Sequence, residues 1–413
     1  MSILSLRYYE LMHTFASQRH RSRGRLPVVF LMMFFGAASL YGQSMEFLEE
    51  RFLTGDLSMK VQVMRTATRQ GAEENGPLFH RAIRFAVGTL QENQNDQRLE
   101  QMLMYAVRGV QEADYTDAAD DAWRLFLDYN NLTVQFELLK GMGRLARNNP
   151  RVILDMTDWM RRQHGMYAVG GRPNLQLVGM LMQAMGETQS ELIFAVTVES
   201  ALLGYPETVA RPAFDALDRI GGDRRVLAGQ FIRVQPVTGR SRALEFFLRS
   251  DIITDEEKIS LAIEILDAYA HSRNLSIFEI REYQNLRGVA AAHLANLRHQ
   301  EATPAMIRHF DQSIIDYEAN RITQNSLVDA IGTLGAMDTD AASRRLGQYL
   351  NLLNTRSEGT RHYDTQIVLA VIAALKDIQS PAGMDALYFT LLLDNFPTRI
   401  HQAAEEAVAS FGM

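Results

Sequence analysis

Apolar residues along this chain recur at three and four positions, and alternating strand-type runs are absent. From Asp56 onward that spacing predicts helix after helix. Leu327, Ile331 and Leu334 fall on one helical stripe, and Ala342, Leu346, Tyr349 and Leu353 on the next. Prolines stand where helices begin. Asn149-Pro150, Thr303-Pro304 and Ser380-Pro381 each join a capping side chain to a proline suited to the first turn. Thr254 and Glu257 have the spacing of a capping box, and Asp338 and Asp340 open a helix expected over 340–353. Breaks between segments are short, as antiparallel helix hairpins require. The expected class is all-α.

The segments also repeat. AIGTLGAMDTDAASRRLGQYL from Ala330 lies over VIAALKDIQSPAGMDALYFTL from Val371 at an offset of 41. The alignment pairs Ile331 with Ile372, Leu334 with Leu375, Leu346 with Leu387 and Leu350 with Leu391. Looser copies end at Gly143, Gly186 and Gly221, and a last one at Gly412. A glycine just past an apolar stripe is the expected left-handed C-cap. Ile367–Leu375 is apolar at nine consecutive positions, which reads as an inner helix packed on both sides. The stretch 236–322 keeps helical periodicity with longer helices, such as one over 279–298, and no clear register.

The unit AIGTLG…DAASRRLGQYL resembles the bacterial HEAT-like repeat of the short type also called the PBS-lyase repeat. The resemblance is good over 323–412, fair over 131–235 and only periodic elsewhere. It implies an α-solenoid, a right-handed superhelix of antiparallel helix pairs of HEAT-like or ARM-like kind. It implies a scaffold rather than lyase activity. One helix pair cannot hide its apolar face, so neighbours stack into one elongated core.

The first 42 residues have a different character. Five arginines (Arg7, Arg19, Arg21, Arg23, Arg25) face one acid, Glu10, and an uncharged run follows from Leu26 to Tyr41. A basic region, an apolar core and small residues describe a secretory signal peptide. The run is short of the ~20 residues that span a bilayer comfortably. Cleavage is expected after Gly42, with Ala37-x-Ser39 as the competing site and an uncleaved signal anchor as the alternative. The domain reading is therefore 1–42 signal, 43–235 N-terminal repeats and 236–413 C-terminal repeats of the same array. The loop Gln235–Arg240 is the expected hinge. The expected location is the periplasm or cell envelope, with membrane attachment only if the signal is retained.

Composition then narrows the chemistry. The chain has 413 residues and no cysteine, which excludes disulfides, thiolate nucleophiles and Fe–S clusters. Removing residues 1–42 leaves 37 basic and 48 acidic side chains, a charge near −11 that argues against generic nucleic-acid binding. GxGxxG, Walker, GxSxG, HExxH and SxxK motifs are absent. The eight histidines after residue 42 are scattered, with no two at the i, i+3 or i+4 spacing of helical metal ligands. The acids of EADYTDAADDAW (Glu112, Asp114, Asp117, Asp120, Asp121) are read as a helix start. No cofactor or metal is expected, and an enzyme is not.

One charge feature opposes the global balance. Between Arg211 and Arg249 eight arginines face four acids. Arg219, Arg224, Arg225, Arg233, Arg240 and Arg242 are the expected docking residues for an unidentified protein partner. The competing reading is that they point apart and pair locally. The functional expectation is an exported, non-enzymatic scaffold for protein–protein interaction. The alternatives are its membrane-tethered form, or an enzyme or ligand-binding protein with a site assembled from distant helices.

Overall fold

The computed structural model describes residues 45–269, 275–359 and 363–411. Residues 1–42, and with them the expected signal and its 26–41 apolar run, lie outside the described residues, as does Gly412. All regular structure among the described residues is helical, in twenty α-helices with four short 3-10 turns. The chain divides into two compact units, one through Tyr129 and one from Asn130.

The first unit holds α1 (Met45–Thr54), α2 (Leu57–Gln70), α3 (Ala72–Asn93), α4 (Gln97–Glu112) and α5 (Ala119–Asp128). Its core is Met64, Phe79, Ile83, Met102, Leu103, Val107 and Phe126, all shielded from solvent. The first turn of α5 carries Asp120 and Asp121, where carboxylates oppose the positive end of the helix dipole. Asp121 also accepts from His80 Nε2 at 2.7 Å and Arg84 Nε at 3.2 Å, tying α5 to α3. Lys60 is buried against the end of α1. Its Nζ donates to Phe52 O at 2.5 Å and Gly55 O at 2.6 Å and lies 4.9 Å from the Phe52 and Phe85 ring centroids.

The second unit runs α6 (Leu132–Ala146), α7 (Pro150–Ala168), α8 (Leu175–Thr188), α9 (Phe194–Leu202), α10 (Glu207–Arg219), α11 (Arg224–Val234), α12 (Val237–Arg249) and α13 (Asp255–Ala268). It continues through α14 (Ile277–Leu297), α15 (Thr303–Glu318), α16 (Gln324–Gly335), α17 (Asp340–Gly359), α18 (Thr365–Ile378), α19 (Met384–Leu391) and α20 (Thr398–Ser410). Successive helices pack as pairs. Helices two apart in the chain also touch, the odd ones from α7 to α19, and the even ones from α6 to α10 and from α12 to α20. Phe214 of α10 and Phe246 of α12 join the two even runs, with ring centroids 6.4 Å apart. Asn354 of α17 exchanges hydrogen bonds with Thr390 of α19 at 3.1 and 3.2 Å, in a buried position.

Local signals explain the boundaries. Asn131, Asn149, Asn174, Asp223, Thr323 and Asp364 each cap a helix through a side-chain oxygen. Thr254–Glu257 forms the expected capping box, and Ser276–Glu279 forms a second. The 41-residue offset is also geometric, since cap Thr323 matches cap Asp364 and left-handed Asp338 matches left-handed Gln379. Cap and left-handed residue are fifteen apart in both, and again from Asn174 to Gln189.

Two expectations are corrected. Gly143, Gly186 and Gly335 are not left-handed caps; each is helical, without positive φ. After α8, α16 and α18 the left-handed residue is not glycine but Gln189, Asp338 and Gln379, whereas after α10 it is Gly222, one past Gly221. Gly143, Gly186 and Gly335 let neighbouring even helices approach. A Cβ on Gly143 would collide with Ala184 O, one on Gly186 would lie 2.8 Å from Ala216 Cβ, and one on Gly335 2.9 Å from Ala374 Cβ. The expected loop 235–240 is also helical from Val237, because Pro236 precedes the first turn of α12. Arg240 bridges this junction by donating to Arg233 O and Gln235 O at 3.0 and 3.1 Å.

Candidate functional site

Small residues of α14, α16 and α18 line two surface grooves. Gly288 and Ala292 on α14 face Val328 and Gly332 on α16 across a groove of about 840 Å³. Val328 and Gly332 also border a second groove of about 560 Å³, whose far wall is Ala370, Ala373 and Asp377 of α18. The two grooves lie on either side of those shared residues of α16. Their charged lining is Asp329, Asp338 and Asp377 against a single cation, Arg298.

A buried polar network backs the first groove. Arg287 and Asp316 pair at 3.2 Å with both side chains closed to solvent. Arg287 also donates to Gln284 Oε1 at 2.5 Å and Tyr269 O at 2.9 Å, while Asp316 accepts from Gln312 at 3.0 Å. Gln284 and Ser313 bond each other between α14 and α15. His309 lies in the groove wall, 2 % exposed, and its Nδ1 has no hydrogen-bond partner. Burial, with the Arg287 charge nearby, pushes its imidazole down to about 3, so the ring is neutral at physiological pH.

Sequence reasoning missed this network, although a signal for it was present. His309, Gln312, Ser313 and Asp316 have the i, i+3, i+4, i+7 spacing of a core stripe, and Gln284 and Arg287 are three apart. A polar stripe at core spacing marks a buried network rather than a solvated face.

The arginines expected to dock a partner are largely engaged within the unit. Arg225 and Arg233 share Glu264, at 2.9 and 2.6 Å. Arg224 donates to Ile252 O and Asp218 O, and Arg242 to Leu202 O, at 2.7 to 3.2 Å. Arg240 adds contacts to the Tyr269 and Tyr283 hydroxyls, with its guanidinium 5.7 and 5.6 Å from their ring centroids. Arg219 lines a small cleft of about 220 Å³ with Arg211 and Asp215. These contacts spread Arg224, Arg225, Arg233, Arg240 and Arg242 over carbonyls, carboxylates and rings, while Arg219 is placed only at the cleft.

One cluster has the residue types of a hydrolytic triad. Ser200 Oγ is 2.8 Å from His164 Nε2, and His164 Nδ1 is 3.6 Å from Glu199 Oε2. Ser200 also donates to Val196 O at 3.0 Å and is fully buried. Val196 O competes with the imidazole for the Ser200 proton, and no solvent reaches the Ser200 side chain, so a substrate carbonyl has no approach to Oγ. The cluster therefore serves as packing between α7 and α9. Among the described residues, no group of three or more His, Asp or Glu converges as metal ligands. Nor is any helix among them long and apolar enough to cross a membrane. No family model and no curated protein matches the chain.

Proposed function

We propose that the chain is an exported, non-enzymatic scaffold that binds a protein partner along the exposed face of its even-numbered helices. Under this reading residues 43–413 form HEAT-like repeats arranged as an α-solenoid, and residues 1–42 direct export to the periplasm or cell envelope. The observation that carries it is the side-by-side packing of α14, α16 and α18, with an open groove on each side of α16. Stacked helices of this kind offer a long surface from short-range contacts, and long open grooves suit extended segments better than small substrates. The recurring cap-to-turn interval in α8, α16 and α18 supports the repeat reading. The arginines around α11 and α12 supply a secondary contact region, principally through Arg219, whose neighbours leave it beside an open cleft.

Cross-linking in the native host followed by mass spectrometry tests the scaffold reading. Reproducible links from α14, α16 or α18 to one protein are expected. Links confined to the chain itself count against it, and N-terminal sequencing that recovers residues before Leu26 counts against cleavage. The membrane-tethered form predicts fractionation with membranes through residues 26–41.

A further inference from the structure

We propose that the cavity between α15, α17 and the start of α18 binds a neutral sugar ring. This goes beyond the scaffold reading and does not depend on it.

The cavity holds about 570 Å³, a volume in the range of small-ligand sites. Three tyrosines from three elements form its walls: Tyr317 at the end of α15, Tyr349 in α17 and Tyr363 ahead of α18. Each ring is held in place. Tyr317 donates to Asp364 Oδ2 at 3.5 Å and Tyr363 to Asn395 O at 3.4 Å. Tyr349 packs edge-on against Phe310, and Tyr363 against Phe396. Such side chains offer an apolar ring beside a polar tip, which suits a molecule with C–H faces and hydroxyl edges.

Unused hydrogen-bonding capacity is the second ground. Tyr349 is 2 % exposed, yet its hydroxyl has no hydrogen-bond partner among the described residues and, unlike the orphaned Tyr205 hydroxyl, is not sealed from solvent. At the same 41-residue offset, the Thr390 hydroxyl is bonded to Asn354 Oδ1 and Ala386 O. Burial and the Glu318 carboxylate push the Tyr349 phenol up, so it keeps its proton and can both donate and accept. Asn320 and Glu318 also line the cavity, and the Asn320 amide and Glu318 Oε2 make no hydrogen bond among the described residues.

Charge favours a neutral ligand. Glu318 and Arg356 neutralise each other at 2.7 Å. Asp364 accepts from Gln324 at 2.7 Å and from the Gln366 and Ile367 amides as it caps α18. The lining therefore leaves no unmatched charge for a cation or an anion, whereas sugar hydroxyls can bond carboxylate, guanidinium and amide groups alike.

The test is saturation-transfer NMR and calorimetric titration of the full chain with neutral trisaccharides of glucose, galactose, mannose and N-acetylglucosamine, and with choline. At least one sugar should bind and choline should not. Tyr349→Phe removes only the hydroxyl and should weaken sugar binding roughly tenfold, about what one hydrogen bond is worth. Because that hydroxyl has no partner in the free protein, the melting temperature without sugar should not fall. Asn320→Gly keeps the left-handed backbone position and should also weaken binding. Tyr388→Phe makes the same change on an exposed tyrosine of α19 and should stay within about twofold, because distant sites act independently. Affinity should hold between about 0.05 and 0.5 M salt, since a neutral ligand has no charge to screen. No binding of any of the four sugars, choline binding in their place, equal losses in Tyr349→Phe and Tyr388→Phe, or affinity that falls with salt would overturn the proposal.

Discussion

Arg287 and Asp316 face each other at 3.2 Å between α14 and α15, with no solvent reaching either side chain. Such a pair is costly to desolvate and more costly to break. Asp316→Ala should destabilise the fold by about 3–5 kcal/mol, because the guanidinium is left buried without its counter-charge. Arg287→Met with Asp316→Leu should recover only part of that loss, because Tyr269 O and Gln312 then lose their partners. Urea unfolding of the single and double variants separates the two effects, and an Asp316→Ala midpoint equal to wild type would contradict them.

His309 makes stability depend on acidity. Its folded value of about 3 lies below the ordinary histidine value of 6.5, so below pH 6.5 the unfolded chain takes up the proton first. Its contribution is therefore fully present above pH 6.5 and falls as pH drops toward 3. The steepest loss is about 1.4 kcal/mol per pH unit. His309→Gln should flatten this part of the profile, as read by urea midpoints between pH 7 and 4.

Gly335 and Ala374 test the close approach of α16 and α18. Gly335→Val should cost about 1–3 kcal/mol, since a Cβ there lies 2.9 Å from Ala374 Cβ in a packed interface. Gly288→Ala, where a Cβ meets nothing within 4 Å, should be neutral or mildly stabilising. Thermal melts of the two variants should move in opposite directions or differ by several degrees.

Arg240 should behave as a structural residue. Arg240→Ala removes two carbonyl bonds, two tyrosine contacts and their cation–π attraction, at roughly 2 kcal/mol. Arg240→Lys should not restore it, because a point charge cannot reproduce the planar fork. Equal urea midpoints for wild type and Arg240→Ala would return this arginine to the partner-facing surface.

The all-helical class was legible because local chemistry repeats it many times over. The 3.6-residue apolar period, Asn149-Pro150 and the Thr254–Glu257 box each act within a turn or two of helix. The site was less legible. Gly143, Gly186 and Gly335 recur in the sequence, but left-handed capping and interhelical contact both call for glycine there. Likewise, the arginines from 211 to 249 are neighbours in sequence, yet Arg225 and Arg233 meet Glu264 and Arg242 reaches back to Leu202.

The sequence by itself determined helix positions, caps, the 41-residue register of the last repeats and the absence of thiol chemistry. These depend on residue identity and on interactions within a few residues. Tertiary structure alone decided which glycines let helices touch, which arginines are already paired, and that His309 backs an acidic groove. Those outcomes depend on contacts between residues some thirty to forty apart in the chain, and no local rule of propensity or charge counting reaches across that distance.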